Sequence, residues 1–257
     1  MILVTWNVNS LRARLPHLEE WLKVAQPDVV ALQEIKVEDE KFPRAEIEAL
    51  GYRFVASGQR TYNGVAILAR GDEPLDPVRD VPGFDDPQRR VLAATVGDVR
   101  IVNLYVVNGQ AVGTDKYDYK LRWCEAVRGF LADELGRHPN LVVLGDFNVA
   151  PDDRDVHDPE AWREQVLCST PERNALAGLM ALGLHDSFRM FEESAGHFTW
   201  WDYRMGRFRR NHGLRIDLIL VSDALRARCR AAGIDRDPRT WDKASDHAPV
   251  WVDLAVQ

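Results

Sequence analysis

Cysteine is scarce in this chain: three in 257 residues, at positions 124, 168 and 229, with no CxxC pair. So sparse and odd a set excludes a disulfide framework and a thiolate zinc site. It fits reduced thiols in a cytoplasmic protein. Long apolar runs are missing too, and no stretch approaches the roughly 20 residues that a membrane-spanning helix needs. The opening "MILVTWNVNS" has neither a basic n-region nor a small-residue cleavage site, so no signal peptide is expected. Positive charge is not in excess. The net charge of −7 argues against a protein that coats nucleic acid indiscriminately. It leaves room for an enzyme with one local basic face, or with acidic residues that hold a metal. No repeat, linker or composition break interrupts the chain, which reads as a single domain over residues 1–257.

What the chain does have is a series of strand-length apolar runs. They are "ILVTW" (2–6), "DVVAL" (28–32), "GVAILA" (64–69), "VLAATV" (91–96), "RIVNLYVV" (100–107), "NLVVLG" (140–145), "RIDLILV" (215–221) and "PVWVDLAV" (249–256). Each is rich in Val, Ile and Leu and bounded by Gly, Pro, Asn or Asp. Helical stretches lie between some of them. "LPHLEEWLKVA" places Leu15, Leu18, Trp21, Leu22 and Ala25 on one face, and "YKLRWCEAVRGFLADEL" does the same with Trp123, Val127, Phe130 and Leu131. "AEIEALG" closes on Gly51, a suitable helix-ending residue. "STPERNALAGLMALG" opens with Ser169 and Glu172 at capping-box spacing. Several neighbouring strands have no helix between them. An α/β fold of two packed sheets with helices outside is therefore expected rather than a doubly wound parallel sheet.

Acid and amide side chains recur where these strands end. They are Asn7 and Asn9, Glu34, Tyr105 and Asn108, Asp146 and Asn148, and the Asp246–His247 pair before the last strand. Residues i and i+2 share a face while the backbone stays extended, so Asn7 with Asn9, and Asp146 with Asn148, are expected to project together. Any one such end reads more simply as a turn former. Together they make a rim of oxygen donors of the kind a hard divalent cation requires. Asp217 lies inside "RIDLILV", where burial is costly without a partner. His247 is the natural one, with one ring nitrogen on Asp217 and the other free for a reacting group.

Several segments resemble, in order, the motifs of bacterial exonuclease III. They are "TWNVNSLRAR", "PDVVALQEIK", "YNGVAILAR", "VNLYVVNGQ", "KYDYKLRW", "LGDFNVAPDDRDVHDP", "HFTWWDYR", "NHGLRIDLILVS" and "SDHAPVWVDL". This is the abasic-site endonuclease branch of the endonuclease/exonuclease/phosphatase superfamily, and the likeness runs from residue 2 to residue 254. It implies a four-layered α/β sandwich of the DNase I-like kind, with the site on one rim of the sheets. It implies Glu34 and Asp246 as ligands of the catalytic magnesium, with manganese as a substitute, and Asn9 close by with Asn7. His247 would contact the scissile phosphate, polarised by Asp217. Asp146 would activate water or protonate the leaving oxygen, Asn148 would position the nucleophile or phosphate, and Tyr105 would bond a phosphate oxygen. Trp200 and Leu214 would wall a flipped, baseless sugar. Asn108, Lys116, Arg209 and Arg210 would grip phosphates of duplex DNA with abasic sites or blocked 3′ ends.

The arginines of "RMGRFRRNHGLR" (204–215) fit a basic loop beside the site, and Lys116, Lys120 and Arg122 offer a second patch. Two departures stand out. Val107 replaces a proline common in the family, which would loosen the turn carrying Asn108. His212 takes the place of an arginine, which would weaken a phosphate contact and make it pH-sensitive. The resemblance implies a monomer that makes no membrane contact. Two other readings remain open: a phosphoesterase of inositol phosphates or phospholipids, and a catalytically silent DNA-binding protein on the same fold. The second should have lost one of Glu34, Asp146, Asp217, Asp246 or His247, and all five are present.

Overall fold

Apolar runs buried on both faces need a layer on each side, and the computed structural model, which describes residues 1–255, supplies them. One six-stranded sheet contains β1 (Ile2–Asn7), β2 (Val29–Gln33), β3 (Tyr52–Ser57), β4 (Val65–Arg70), β11 (Cys229–Ile234) and β12 (Val250–Leu254), in the order β11-β12-β1-β2-β4-β3. The other contains β5 (Leu75–Arg79), β6 (Val91–Val96), β7 (Val99–Tyr105), β8 (Leu141–Asp146), β9 (Leu184–Asp186) and β10 (Asp217–Ser222), in the order β5-β6-β7-β8-β10-β9. The helices are α1 (Leu11–Ala25), α2 (Arg44–Ala49), α3 (Asp115–Arg137), α4 (Pro159–Trp162), α5 (Thr170–Met180) and α6 (Asp223–Arg226).

Side-chain alternation sorts the core into layers. Leu3, Ala31, Ile67, Ile101, Leu144, Ile219 and Val252 meet between the two sheets. The opposite faces of the same strands turn outward. Val4, Trp6, Val30 and Leu32 pack beneath Leu18, Trp21 and Leu22 of α1. Val102, Leu104, Val143 and Leu220 pack beneath Trp123, Val127 and Phe130 of α3 and Leu176 of α5. The expected four-layered sandwich is therefore present. Four strands went unread in the sequence: β3, β5, β9 and β11. β5 is mostly exposed and carries Pro77, and β9 has three residues.

One parallel pair lies inside each sheet, β1 with β2 and β7 with β8, and every other pairing is antiparallel. The carboxyl ends of β1, β2, β7 and β8 are thus gathered on one rim. Antiparallel β10 and β12 bring their amino ends to it. The register sets Tyr105 and Asp217 on either side of Asp146. The Met1 amino group and the Leu254 carbonyl, 2.6 Å apart, lie at the opposite rim.

A buried polar clasp joins the sheets below the site. The Asn103 amide, on β7, donates to the carbonyls of Leu32 and Ala66 at 2.9 Å each. Gln33 Nε2 donates to Asn103 Oδ1 at 2.8 Å and to Thr5 Oγ1 at 2.9 Å.

Candidate active site

The first sheet contributes Asn7 and Glu34 to this rim, and the second contributes Tyr105, Asp146 and Asp217. Asn7 bridges them. Its Nδ2 donates to Glu34 Oε1 and to Asp146 Oδ2, both at 2.9 Å. His247 Nδ1 lies 2.9 Å from Asp217 Oδ2, and its Nε2 lies 3.8 Å from Asp146 Oδ2. Asp217 is further anchored through its backbone amide, which donates to Thr199 Oγ1 at 3.1 Å. The His–Asp pair inferred from a lone acid in an apolar strand is therefore in place.

The charges in this cluster follow from burial and neighbours. Burial would push the His247 imidazole down, but Asp217 and Asp146 outweigh it and raise it to about 10. The ring is then a cation with both nitrogens donating: Nδ1–H to Asp217 and Nε2–H toward Asp146. Burial pushes the Asp146 carboxyl up to about 7 against the pull of His247. Glu34 goes the other way. Burial raises it, but Lys36 and the Asn7 amide together bring it below the usual carboxylate range. Tyr105 is held well above its ordinary value by burial and by Glu34 and Asp146, so its hydroxyl stays protonated. Arg90 lies over its ring, 4.6 Å from the centroid.

Glu34, Asp146 and His247 each offer a ligand atom, and these lie within 4.8 Å of one another. Of the three, Glu34, which stays ionised, is the oxygen donor that best fits a hard divalent ion. The other expected ligands sit differently. The Lys36 ammonium bridges Glu34 Oε2 at 2.8 Å and Asn9 Oδ1 at 2.6 Å. Asn9 Nδ2 donates to Asp246 Oδ1 and Trp200 Nε1 to Asp246 Oδ2, both at 2.9 Å. Asp246 thus joins the cluster through Asn9 rather than as one of the three converging groups. Trp200 holds it with a polar bond as well as presenting an apolar ring.

Other expectations need correction. Asn7 and Asn9 do not project side by side, nor do Asp146 and Asn148. Asn9 and Asn148 have left-handed backbones, with φ of 45° and 48°. In each pair the first side chain caps the second amide: Asn9 N to Asn7 Oδ1 at 3.0 Å and Asn148 N to Asp146 Oδ1 at 2.9 Å. Each strand ends on the first residue of its pair, so the alternation does not carry through. Glu34 is left-handed as well, with φ of 50°. Such conformations cost about 1–3 kcal/mol each and persist only where the surroundings over-determine them.

Leu214 has no exposed surface. It packs with Ala150, Val156, Leu167, Cys168 and Ile216, with Trp200 against the same cluster. Trp201 is core, fully buried against Phe198 and Ala248. Of the arginine loop, Arg215 is buried in ion pairs with Asp155 and Asp186, and Arg204 pairs with Asp202. Arg209 and Arg210 remain exposed, as do Lys116 and Asn108. Lys120 is fully buried and belongs to no surface patch. His212 is not alone: it stacks on His157 with ring centroids 4.9 Å apart. Val107 lies at the base of the turn that carries Asn108. It is buried in the outer core, and Asn108 Nδ2 donates to Asn148 Oδ1 at 3.1 Å. Residues missed in the sequence also shape the rim. Arg14 donates to the Asn9 carbonyl at 2.6 Å and to the Tyr203 hydroxyl at 3.0 Å.

Comparison with known proteins gives the family. The chain is 37% identical to exodeoxyribonuclease III of Haemophilus influenzae, across 99% of this chain and all of that protein. Among solved structures it is similar to a 3′ phosphatase, NExo, from Neisseria, bound to a product DNA hairpin. The TM-score is 0.97 at 46% identity over the whole of both chains. It is similar as well to an AP endonuclease from Archaeoglobus fulgidus, with a TM-score of 0.95 at 35% identity, again over both whole chains. Residues 4–247 match the family model described as endonuclease/exonuclease/phosphatase, and the chain belongs to that family.

Proposed function

We propose that this protein is a magnesium-dependent DNA repair phosphodiesterase, with manganese as a substitute ion. It incises duplex DNA 5′ to abasic sites, leaving a 3′-hydroxyl, and removes 3′-phosphates and 3′ nucleotides at strand ends. It works as a single-domain monomer in the cytoplasm. No helix among the described residues is long and apolar enough to cross a membrane. The observation that carries the reading is the Asp217–His247–Asp146 arrangement beside Glu34.

The chemistry follows from the charges. Phosphodiester hydrolysis builds negative charge on attacking and leaving oxygens, and a bound metal supplies Lewis-acid stabilisation of that charge. Glu34, ionised, would hold the ion with Asp246 and Asn9 nearby. The cationic His247 donates its Nε2–H to a non-bridging phosphate oxygen, and Asp217 keeps that proton in place. Tyr105, still protonated, donates to another phosphate oxygen. Asp146, poised near neutrality, takes a proton from the attacking water or returns one to the leaving oxygen. Asn148 orients the nucleophile beside it. Arg209, Arg210, Lys116 and Asn108 hold flanking phosphates.

A specific observation favours strand-end work as the larger share. Leu214, the expected wall for an extruded sugar, is fully buried in a cluster that includes Val156 and that Trp200 packs against. A terminal 3′-phosphate needs no such pocket. The test uses two labelled duplexes, one with an internal abasic-site analogue and one nicked with a 3′-phosphate, each with magnesium or with EDTA. Magnesium-dependent release from the nick with little incision supports the strand-end weighting, and strong incision reverses it. Cleavage of neither duplex by folded protein moves the reading to inositol phosphates or phospholipids, or to a silent DNA-binding protein.

A further inference from the structure

Lys120 is a cation with no exposed surface, and the chemistry above leaves it unused. It sits on α3, one residue after Tyr119. Its Nζ donates to the Asn148 carbonyl at 2.7 Å and to the Asn108 carbonyl at 3.2 Å, and it pairs with Glu172 Oε1. That accounts for all three ammonium protons. Glu172, near the start of α5, is saturated in turn. Its Oε1 accepts from Leu167 N at 3.0 Å, and its Oε2 accepts from Ser169 Oγ at 2.5 Å and Ser169 N at 3.2 Å. Ser169 Oγ lies 2.6 Å from the Tyr117 hydroxyl, back on α3. The ammonium therefore joins the turns after β7 and β8 to the outer helical layer.

Asn148 is where this matters. Its amide donates to Asp146 Oδ1 at 2.9 Å, and its Nδ2 donates to the Val106 carbonyl at 3.0 Å. The peptide units on either side are planar, so two rotations set its backbone. The bond to Asp146 restrains the preceding peptide, and the Lys120 bond restrains the following one. Between them they hold a left-handed residue at φ of 48°. Room for the lysine stem comes from Gly109, where an added Cβ would lie 3.1 Å from Lys120 Cδ. A buried ion pair adds little stability over apolar residues of the same volume. The two carbonyls account for the charge better than stability does.

We propose that Lys120 is a positioning residue: by pinning the carbonyls of Asn108 and Asn148 it locks the turn that returns the Asn148 amide to Asp146, and so aims the Asp146 carboxylate. This rests on Asp146 acting in cleavage as proposed above.

The test compares wild type, Glu172→Gln, Lys120→Met and the double variant Lys120→Met/Glu172→Gln on the nicked 3′-phosphate duplex. Glu172→Gln keeps the lysine and its carbonyl bonds. The double variant removes both buried charges and so folds where Lys120→Met alone does not. Expected is a kcat about 100-fold below that of Glu172→Gln, the loss that a small misplacement brings. KM stays within about threefold, since phosphate grip is untouched. Amide exchange at Asn148, followed separately, speeds up by about tenfold or more. Equal kcat and equal exchange in the two glutamine variants overturn the proposal. So does a double variant that fails to fold, which makes Lys120 structural only. If wild type cleaves no DNA, the functional reading fails, while Asn148 exchange still decides whether the pin exists.

Discussion

The charge of His247 is decided by two carboxylates acting against its burial, and the pH dependence of cleavage should follow. The imidazolium persists at neutral pH and is lost as pH rises through about 10, so cleavage should fall on that alkaline side. Asp217→Asn removes the main source of the raised value, and the fall should move to lower pH. His247→Ala should lower kcat by about 10³-fold at every pH, with DNA affinity nearly intact. Rate–pH profiles of the three proteins check this, and an unmoved alkaline limb in Asp217→Asn would refute the assignment. The pair was legible because an Asp among Ile and Leu demands a partner. Lys120, Arg14 and Thr199 were not, since each binds mainly backbone atoms. Carbonyls and amides occur at every residue, and no sequence pattern announces which ones converge. Asp246 shows the converse difficulty. Its motif was plain, but the Trp200 and Asn9 bonds that set its orientation arise only in three dimensions.

At the scale of elements, the rim is built from strand register, and β8 shows how tightly. Gly145 has φ of 147°, and a Cβ there would come within 1.9 Å of the Leu104 carbonyl oxygen on β7. The next residue is Asp146. Gly145→Ala must spread the parallel β7–β8 pair or break it, and should lower unfolding free energy by about 4 kcal/mol. Chemical denaturation measures this; a loss under about 1 kcal/mol would show that the pair yields easily. The strands that carry the site were readable because burial on both faces makes them continuous apolar runs. β5 and β11 sit at sheet edges, where that selection is relaxed, and "LDPVR" and "CRAAGI" show it. Strand pairing order was beyond the sequence, because Val, Ile and Leu runs are interchangeable as partners. The turns after β1 and β8 were misread for a physical reason. Asn and Asp end the extended backbone themselves by capping the amide two residues on.

For the whole molecule, a net charge of −7 must be reconciled with a polyanionic substrate. The exposed Arg209 and Arg210 lie on the loop that leads into Leu214 and Asp217, close in sequence to the strand that carries Asp217 to the rim. Each phosphate contact releases a counterion, and Arg209→Ala/Arg210→Ala should reduce the slope of log affinity against log salt by about two. An unchanged slope would place the DNA path elsewhere. Of the remaining arginines of that segment, Arg215 is spent inside the protein and Arg204 is paired with Asp202 at the surface, which composition alone does not reveal.

The juncture of Met1 with Leu254 has a practical side. Both lie at the rim away from Glu34 and His247, where β1 begins and β12 ends. A tether fixed at the first residue would leave the rim facing outward. An immobilised form of the protein, on a bead or a sensor surface, should therefore meet long duplexes as freely as the dissolved one. A reporter fused there would be carried on the far side of the molecule from the nucleic acid.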